Sequence, residues 1–216
     1  MDLKNSIIAF SGGKDSVAVS KFMLEQGYNI PHVCVINKEL DYPSHLKYIE
    51  DYCKSKNVDL IFVEQNHLGI EFLKKNPKYI FPSDSKVKGK WFYKFQQSGI
   101  RKYSEKNKCS TVIYGRRIAD GNSIKKKMYV TKNGISQYFP LRDWSNVKTM
   151  KYIEDQDISP IYKYVWGVIR GTHTINIANT YIDKNLDLAL KFIKSMDLKM
   201  YENALELLKY KNNGKS

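Results

Sequence analysis

The sequence predicts an α/β fold built on a doubly wound, mainly parallel five-stranded sheet, with a helical extension at its C-terminal end. A short apolar run, Ile7-Ile8-Ala9-Phe10, breaks into a small polar glycine loop that opens directly into a segment with helical spacing. Further short apolar runs at His32–Ile36, Leu60–Val63 and Thr111–Tyr114 alternate with amphipathic stretches. Strands that alternate with helices pair in parallel through right-handed crossovers. At 216 residues the chain is long enough to bury a full core.

In chain order, Val17, Val19, Phe22, Met23 and Leu24 supply the buried face of the first helix, and Gly27 stands at its C′ position. Pro31 precedes the second strand, and Pro43 opens a helix with Leu46, Ile49, Tyr52 and Cys53 on its inner side. Between Asn66 and Asn107 the pattern is less regular, with turns at Asn76-Pro77 and Phe81-Pro82-Ser83-Asp84. The run Lys86–Lys94 mixes lysines with Trp91, Phe92 and Tyr93, and Phe95 follows. It reads either as a surface that tracks a nucleic-acid strand or, preferably, as part of an amphipathic helix from about Lys90 to Lys106 that buries its aromatics. After the fourth strand, Asn133-Gly134 between two alternating segments predicts a hairpin. Ser145 then caps a helix whose inner side is Val147, Met150 and Ile153, with Tyr152 as a further candidate. From Leu186 onward two amphipathic helices are expected, with Leu186, Leu190 and Ile193 inward in one and Ala204, Leu205 and Leu208 in the other. Residues 1–165 thus form one domain and 166–216 its helical extension.

Lys and Arg outnumber Asp and Glu by 36 to 22, a net charge of +14 that favours polyanionic partners. A composition rich in Lys, Asn, Ile and Tyr is also what an AT-rich genome encodes, so the charge alone does not choose between nucleotide and nucleic acid. No stretch approaches a membrane span and the N-terminus has no signal-peptide pattern, so a cytoplasmic protein without a membrane partner is expected. Cys34, Cys53 and Cys109 show no Cys-x-x-Cys spacing, which predicts neither zinc nor an iron–sulfur cluster.

The loop Ser11-Gly12-Gly13-Lys14-Asp15-Ser16 has the composition of a phosphate cradle. Two glycines let the backbone approach an anion, the first helical turn points N–H groups at it, and Ser11, Lys14 and Ser16 add donors. Asp15 belongs beside phosphates only where a Mg²⁺ ion sits between them. In a doubly wound sheet the loops after Phe10, Ile36 and Tyr114 share one cleft. The last of these, Gly115-Arg116-Arg117-Ile118-Ala119-Asp120-Gly121-Asn122-Ser123-Ile124-Lys125-Lys126-Lys127, reads as a second anion-binding element, with a solvated charge run as the plainer alternative.

The hexapeptide resembles the Ser-Gly-Gly-x-Asp-Ser signature of the PP-loop superfamily, which unites ATP pyrophosphatases with phosphoadenylylsulfate (PAPS) reductase-like proteins. The segment after the fourth strand is similar to the family's Gly-x-Arg-Arg block, and Pro140-Leu141-Arg142-Asp143-Trp144, followed by a helix and Pro160-Ile161-Tyr162, resembles its Pro-Leu-x-Asp-Trp block. The resemblance covers about the first 165 residues. It implies the adenine nucleotide alpha hydrolase-like fold and a nucleotide site at Ser11, Gly12, Gly13, Lys14, Asp15, Ser16, Asn37, Asp41, Gly115, Arg117, Asp120 and Ser123. Lys14, Arg116 and Arg117 would be its catalytic cations and Asp15 its Mg²⁺ ligand. Asp41 also reads as a helix cap, with Tyr42 as its staple.

Departures narrow this. Reductases of the family carry a nucleophilic Cys near their C-terminus, and here no cysteine follows Cys109. Where thiolating relatives have Gly-Cys-x-x-Cys, the chain reads Arg170-Gly171-Thr172-His173-Thr174. The expected function is therefore binding of ATP or a related adenine nucleotide with Mg²⁺ and attack at the α-phosphate to adenylate an acceptor, in nucleic-acid or nucleotide modification. The alternatives are a non-catalytic nucleotide-binding regulator and a role in PAPS or adenylyl-sulfate metabolism. Nucleic acid and a second copy of the chain stay open as partners.

Overall fold

The computed structural model describes residues 3–162, 177 and 185–213. The Arg170–Thr174 departure lies outside the described residues. Among the described residues six strands form one sheet: β1 (Ser6–Ala9), β2 (His32–Ile36), β3 (Leu60–Glu64), β4 (Thr111–Ile113), β5 (Met128–Val130) and β6 (Ser136–Tyr138). Their order is β3-β2-β1-β4-β6-β5. β1 runs parallel to β2 and to β4, β4 parallel to β6, and β5 antiparallel to β6. The α/β class with a mainly parallel sheet is as expected, and helices close the chain. The strand number is six rather than five. The Asn133-Gly134 hairpin does not stand apart: β6 continues the ladder of β4, pairing Tyr138 with Ile113, and β5 follows as the edge.

Contacts gather into two compact units, one of Met1–Cys34, Ile49–Val63 and Ile100–Ile158, the other of Val35–Tyr48, Glu64–Gly99 and Ser159–Ser216. In the first, Ile7, Ile8, Phe10, Val17, Val19, Val33, Val112 and Ile113 are buried. Helix α1 (Lys14–Glu25) begins three residues before its apolar periodicity does, because its first turn, Lys14-Asp15-Ser16, is polar and gives no hydrophobic signal. In this unit Lys21 of α1 donates from Nζ to Tyr152 O at 2.9 Å and to Asp155 Oδ1 at 2.6 Å. Trp144 meets Phe22 and Tyr152 edge-on at 6.1 and 4.9 Å.

Helix α2 spans Pro43–Ser55, α3 Ile70–Lys75, α4 Ser85–Phe92, α5 Ser98–Lys106 and α6 Asn146–Tyr152. Ser145 caps α6 as expected, accepting from Lys148 N at 3.1 Å. Its inward face differs from the expectation: Val147 is 80% and Met150 37% exposed, whereas Thr149 and Ile153 are buried. A seven-residue helix shows too few turns for apolar spacing to fix a face, and a polar demand described below turns Thr149 inward.

In the second unit the aromatic run is core in part: Tyr93 is 55% exposed and Phe92 half-buried. Trp91 and Phe95 are buried and lie 5.5 Å apart in a stack, with Tyr79 5.4 Å from Trp91. A π-helical turn at Tyr93–Gln97 joins α4 to α5, so the single expected helix is two. Helices α7 (Leu186–Met196) and α8 (Leu198–Asn213) bury Ala189, Phe192 and Ile193, and Met200, Ala204 and Leu207. Leu205, expected inward, is 38% exposed. Among the described residues no helix is long and apolar enough to cross a membrane.

Candidate functional site

In the first unit the chain runs β1, β2 and β3 to one side of the starting strand and returns to place β4 on the other. The loops after β1 and β4 therefore diverge from a reversal of strand order, the place where open α/β sheets form crevices. After β1, Gly12 turns at a φ of 67° and Gly13 enters α1 in extended conformation. No side chain caps α1. Val17 N, bonded to Gly13 O at 3.0 Å, opens the helical ladder, so the N–H groups of Lys14, Asp15 and Ser16 precede it. Ser16 Oγ donates to Gly13 O at 2.9 Å and lies 3.4 Å from Ser11 Oγ, which braces the loop from inside.

The loop after β4 presses onto this turn. A Cβ built on Gly115 would stand 2.3 Å from Asp15 O and 2.5 Å from its carbonyl carbon, closer than van der Waals contact permits. Glycine at 115 is thus a condition of the approach. Arg117 follows, and its side chain is fully buried. Its Nε lies 2.9 Å from Asp15 Oδ1 as an ion pair without hydrogen-bond alignment. Its Nη2 meets Asp120 Oδ1 at 2.6 Å and Asn146 Oδ1 at 2.7 Å, and Nη1 donates to Thr149 Oγ1 at 2.9 Å. Lys14 Nζ closes the circuit, 2.7 Å from Asp15 Oδ2 and 3.6 Å from Asp120 Oδ1. Burial pushes the Asp15 carboxyl above its ordinary range, against the pull of Lys14 and Arg117. Arg116 is half-buried with its guanidinium 4.7 Å from the Tyr114 ring, and Ser123 is exposed.

The structure therefore brings Ser11–Ser16, Gly115, Arg117 and Asp120 together. It gives the Arg117 side chain five protein partners, the fifth being Trp144 O at 3.5 Å from Nη1, so this residue organises the site from below. Asn146 and Thr149 were missed by sequence reasoning. The available signal was the i, i+4 pair Thr149 and Ile153, which shares a helix face and marks Thr149 as inward. Lys14 holds Asp15 Oδ2 and Asp15 Oδ1 has no aligned hydrogen bond, so this carboxylate is the group that would hold a Mg²⁺ ion once Lys14 turns to a phosphate; the residue roles below are derived without one.

Asn37 and Asp41 belong to the second unit and bind each other. Both are buried, Asn37 N donates to Asp41 Oδ2 at 2.7 Å, and Asn37 Nδ2 to Gln65 O at 2.9 Å. Asp41 Oδ1 has no hydrogen-bond partner, and burial pushes this carboxyl up to about 8. His45, bonded through Nδ1 to Ser159 Oγ at 2.7 Å, is lowered by burial to about 3. In the first unit His32, between Ser20 Oγ and Ile30 O, is likewise lowered by burial, to about 4. From about pH 4 to the ordinary histidine value of 6.5 the unfolded chain binds more protons at both histidines, so their contribution to stability grows as pH rises. Asp41 acts in the opposite sense: the folded chain holds the extra proton up to about pH 8, and stability declines until then. Asp41→Asn should flatten the decline between pH 6.5 and 8 in melting temperature measured against pH, and steepen the acid limb, where Asp41 no longer opposes the two histidines.

The phosphoadenosine phosphosulfate reductase domain family matches residues 5–165. The fold is similar to phosphoadenylyl-sulfate (PAPS) reductase from Candida auris in a phosphate complex, at a TM-score of 0.56 and 14% identity over 78% of this chain and 82% of that one. It is similar also to the U34-tRNA thiolase NcsA from Methanococcus maripaludis with its [4Fe-4S] cluster, at 0.51 and 12% over 96% and 71%. FMN adenylyltransferase from Candida glabrata in complex with ATP matches at 0.49 and 13% over 78% and 53%. No curated protein matches the chain in sequence. NcsA corrects the cofactor expectation: a protein of this fold carries a [4Fe-4S] cluster, so missing Cys-x-x-Cys spacing is no ground for excluding one. Thiolate ligands are gathered by folding, and sequence spacing sees only those that are neighbours in the chain.

Proposed function

Since the chain belongs to the phosphoadenosine phosphosulfate reductase domain family, we propose that its first unit binds an adenine nucleotide by the phosphates and directs attack on the α-phosphorus. The observation that carries this reading is the convergence of the Ser11–Ser16 loop with Gly115–Arg117, so close that residue 115 has no room for a side chain. Backbone N–H groups of the first turn of α1 and the ammonium of Lys14 face the phosphates, and Arg116, stacked on Tyr114, supplies a second cation at the rim. Arg117 is a positioning residue that fixes Asp15 and Asp120. An arriving phosphate draws Lys14 from the two carboxylates, which Arg117 continues to neutralise.

In the reaction a nucleophilic oxygen of the acceptor bonds to the α-phosphorus, a hydroxyl acceptor giving up its proton to solvent. The bond from that phosphorus to the bridging oxygen breaks, and pyrophosphate leaves with the electron pair. Catalysis is positioning and charge stabilisation, with the nucleophile supplied by the acceptor.

Thermal shift with ATP, AMP, adenylyl-sulfate and PAPS, paired with a pyrophosphate-release assay, tests this reading. ATP should raise the melting temperature. Lys14→Ala should weaken nucleotide binding about ten- to a hundredfold, the worth of one charge-assisted hydrogen bond to phosphate. Stabilisation by PAPS alone would instead place the site in sulfonucleotide chemistry, the reading that the family match favours next.

A further inference from the structure

Beyond the phosphate site, the net charge is concentrated in one stretch. Residues 100–140 hold ten Lys and Arg against two Asp and Glu, a net +8 of the chain's +14. Register shows where part of it lies. Ile8, Ile113, Tyr138 and Met128 form one row across β1, β4, β6 and β5. Just past that row β1 leads into the glycine loop and β4 into Gly115–Arg117. Because β5 is antiparallel, the residues before it, Lys125-Lys126-Lys127, emerge at the same end. Three strand spacings separate β5 from β1, about 15 Å.

These lysines are exposed but their backbone is held. Arg142 donates from Nε to Ile124 O at 2.8 Å and from Nη2 to Lys125 O at 3.3 Å, and Phe139 N donates to Lys127 O at 2.8 Å. Arg142 also pairs with Asp143, whose other oxygen lies 3.9 Å from Lys127 Nζ, both side chains being half exposed. Along the same strand Tyr129 is 43% exposed, and Lys132 follows. The Tyr129 ring is fixed by its hydroxyl on Gln137 Oε1 at 2.6 Å and by stacking on Phe139 at 5.7 Å. Phe139 stacks in turn on Tyr114 at 5.7 Å, and Tyr114 carries Arg116. A row of stacked rings thus runs from the outer edge of the sheet to a cation at the phosphate site.

We propose that the β5 edge, Lys125–Lys127 with Tyr129 and Lys132, docks single-stranded nucleic acid. Three consecutive exposed lysines together with a rigid exposed ring suit a strand whose bases are unpaired, since a duplex keeps its base faces covered. That this strand is the acceptor in the adenylating reaction rests on the function proposed above; the docking surface does not.

Fluorescence anisotropy with a labelled oligonucleotide of about 12 nucleotides, single-stranded and as a duplex, tests the surface between about 50 and 200 mM salt. The single strand should bind more tightly. Replacing Lys125, Lys126 and Lys127 together by Gln should weaken it at least about tenfold and reduce the log–log salt slope by about 2, at roughly 0.7 per lost phosphate contact. Tyr129→Ala should cost about tenfold and Tyr129→Phe little, because stacking and not the hydroxyl carries the contact. The lysine variant should keep its thermal response to ATP, whereas Lys14→Ala should lose that response and keep strand binding. Unchanged affinity and salt slope in the lysine variant, or duplex binding as tight as single-strand binding, overturns the proposal. Loss of the ATP response in the wild-type chain overturns the adenylating reading alone.

Discussion

Arg117→Met should destabilise the chain by about 3 kcal/mol, read as a lowered urea midpoint. Removing one partner of a buried ionic cluster costs about 3–5 kcal/mol because the other charges are left uncompensated. Asp15 and Asp120 keep 28% of their side-chain surface in water, which places the cost at the lower end. Arg117→Lys should recover little of it. A lysine ammonium cannot address Asp15, Asp120, Asn146 and Thr149 at once, as the guanidinium fork does. Adding Asp120→Asn to Arg117→Met should restore part of the loss, since it removes one of the stranded charges. A side chain acting only as a phosphate ligand would predict the reverse pattern, with stability unaffected and nucleotide affinity alone reduced.

Gly115→Ala should be nearly as damaging, with an expected cost of about 2–3 kcal/mol, at the upper end for overpacking. The atoms that the new methyl group meets, Asp15 O and its carbonyl carbon, are backbone at the first turn of α1 and cannot swing aside as a side-chain tip would. Relief requires the two loops to part, which moves Lys14 away from Arg116. The variant should therefore lose the thermal response to ATP as well as stability. Gly121→Ala is the control: nothing lies within 4 Å of its Cβ, so any cost there comes from its φ of 78° alone and leaves the nucleotide response intact.

The alternation of strands and helices was legible because buried parallel strands are short apolar runs, and the turn at Ser11–Ser16 because two glycines stand between such a run and helical spacing. What escaped shows the limits of pattern. Charge in a sequence says nothing of burial, so Arg116 and Arg117 read alike, although one is stacked at the rim and the other enclosed. Asn146 and Thr149 stand 29 and 32 positions from the arginine they hold, beyond any local spacing rule. Val147 and Met150 look like a helix face until the demand of Arg117 turns Thr149 inward. The sixth strand was visible as half of a hairpin, but its parallel partner β4 is a non-local pairing that periodicity does not encode.

Helix α6 holds two things at once. It grips Arg117 through Asn146 and Thr149, and through Tyr152 it takes the ammonium of Lys21 from the middle of α1, the helix whose first turn carries Lys14. The two loops of the cradle are therefore registered against a common brace by protein contacts alone. In the proposed nucleotide complex a backbone preorganised in this way gives up little conformational entropy, and the adjustment left to binding is the release of Lys14 from Asp15 and Asp120.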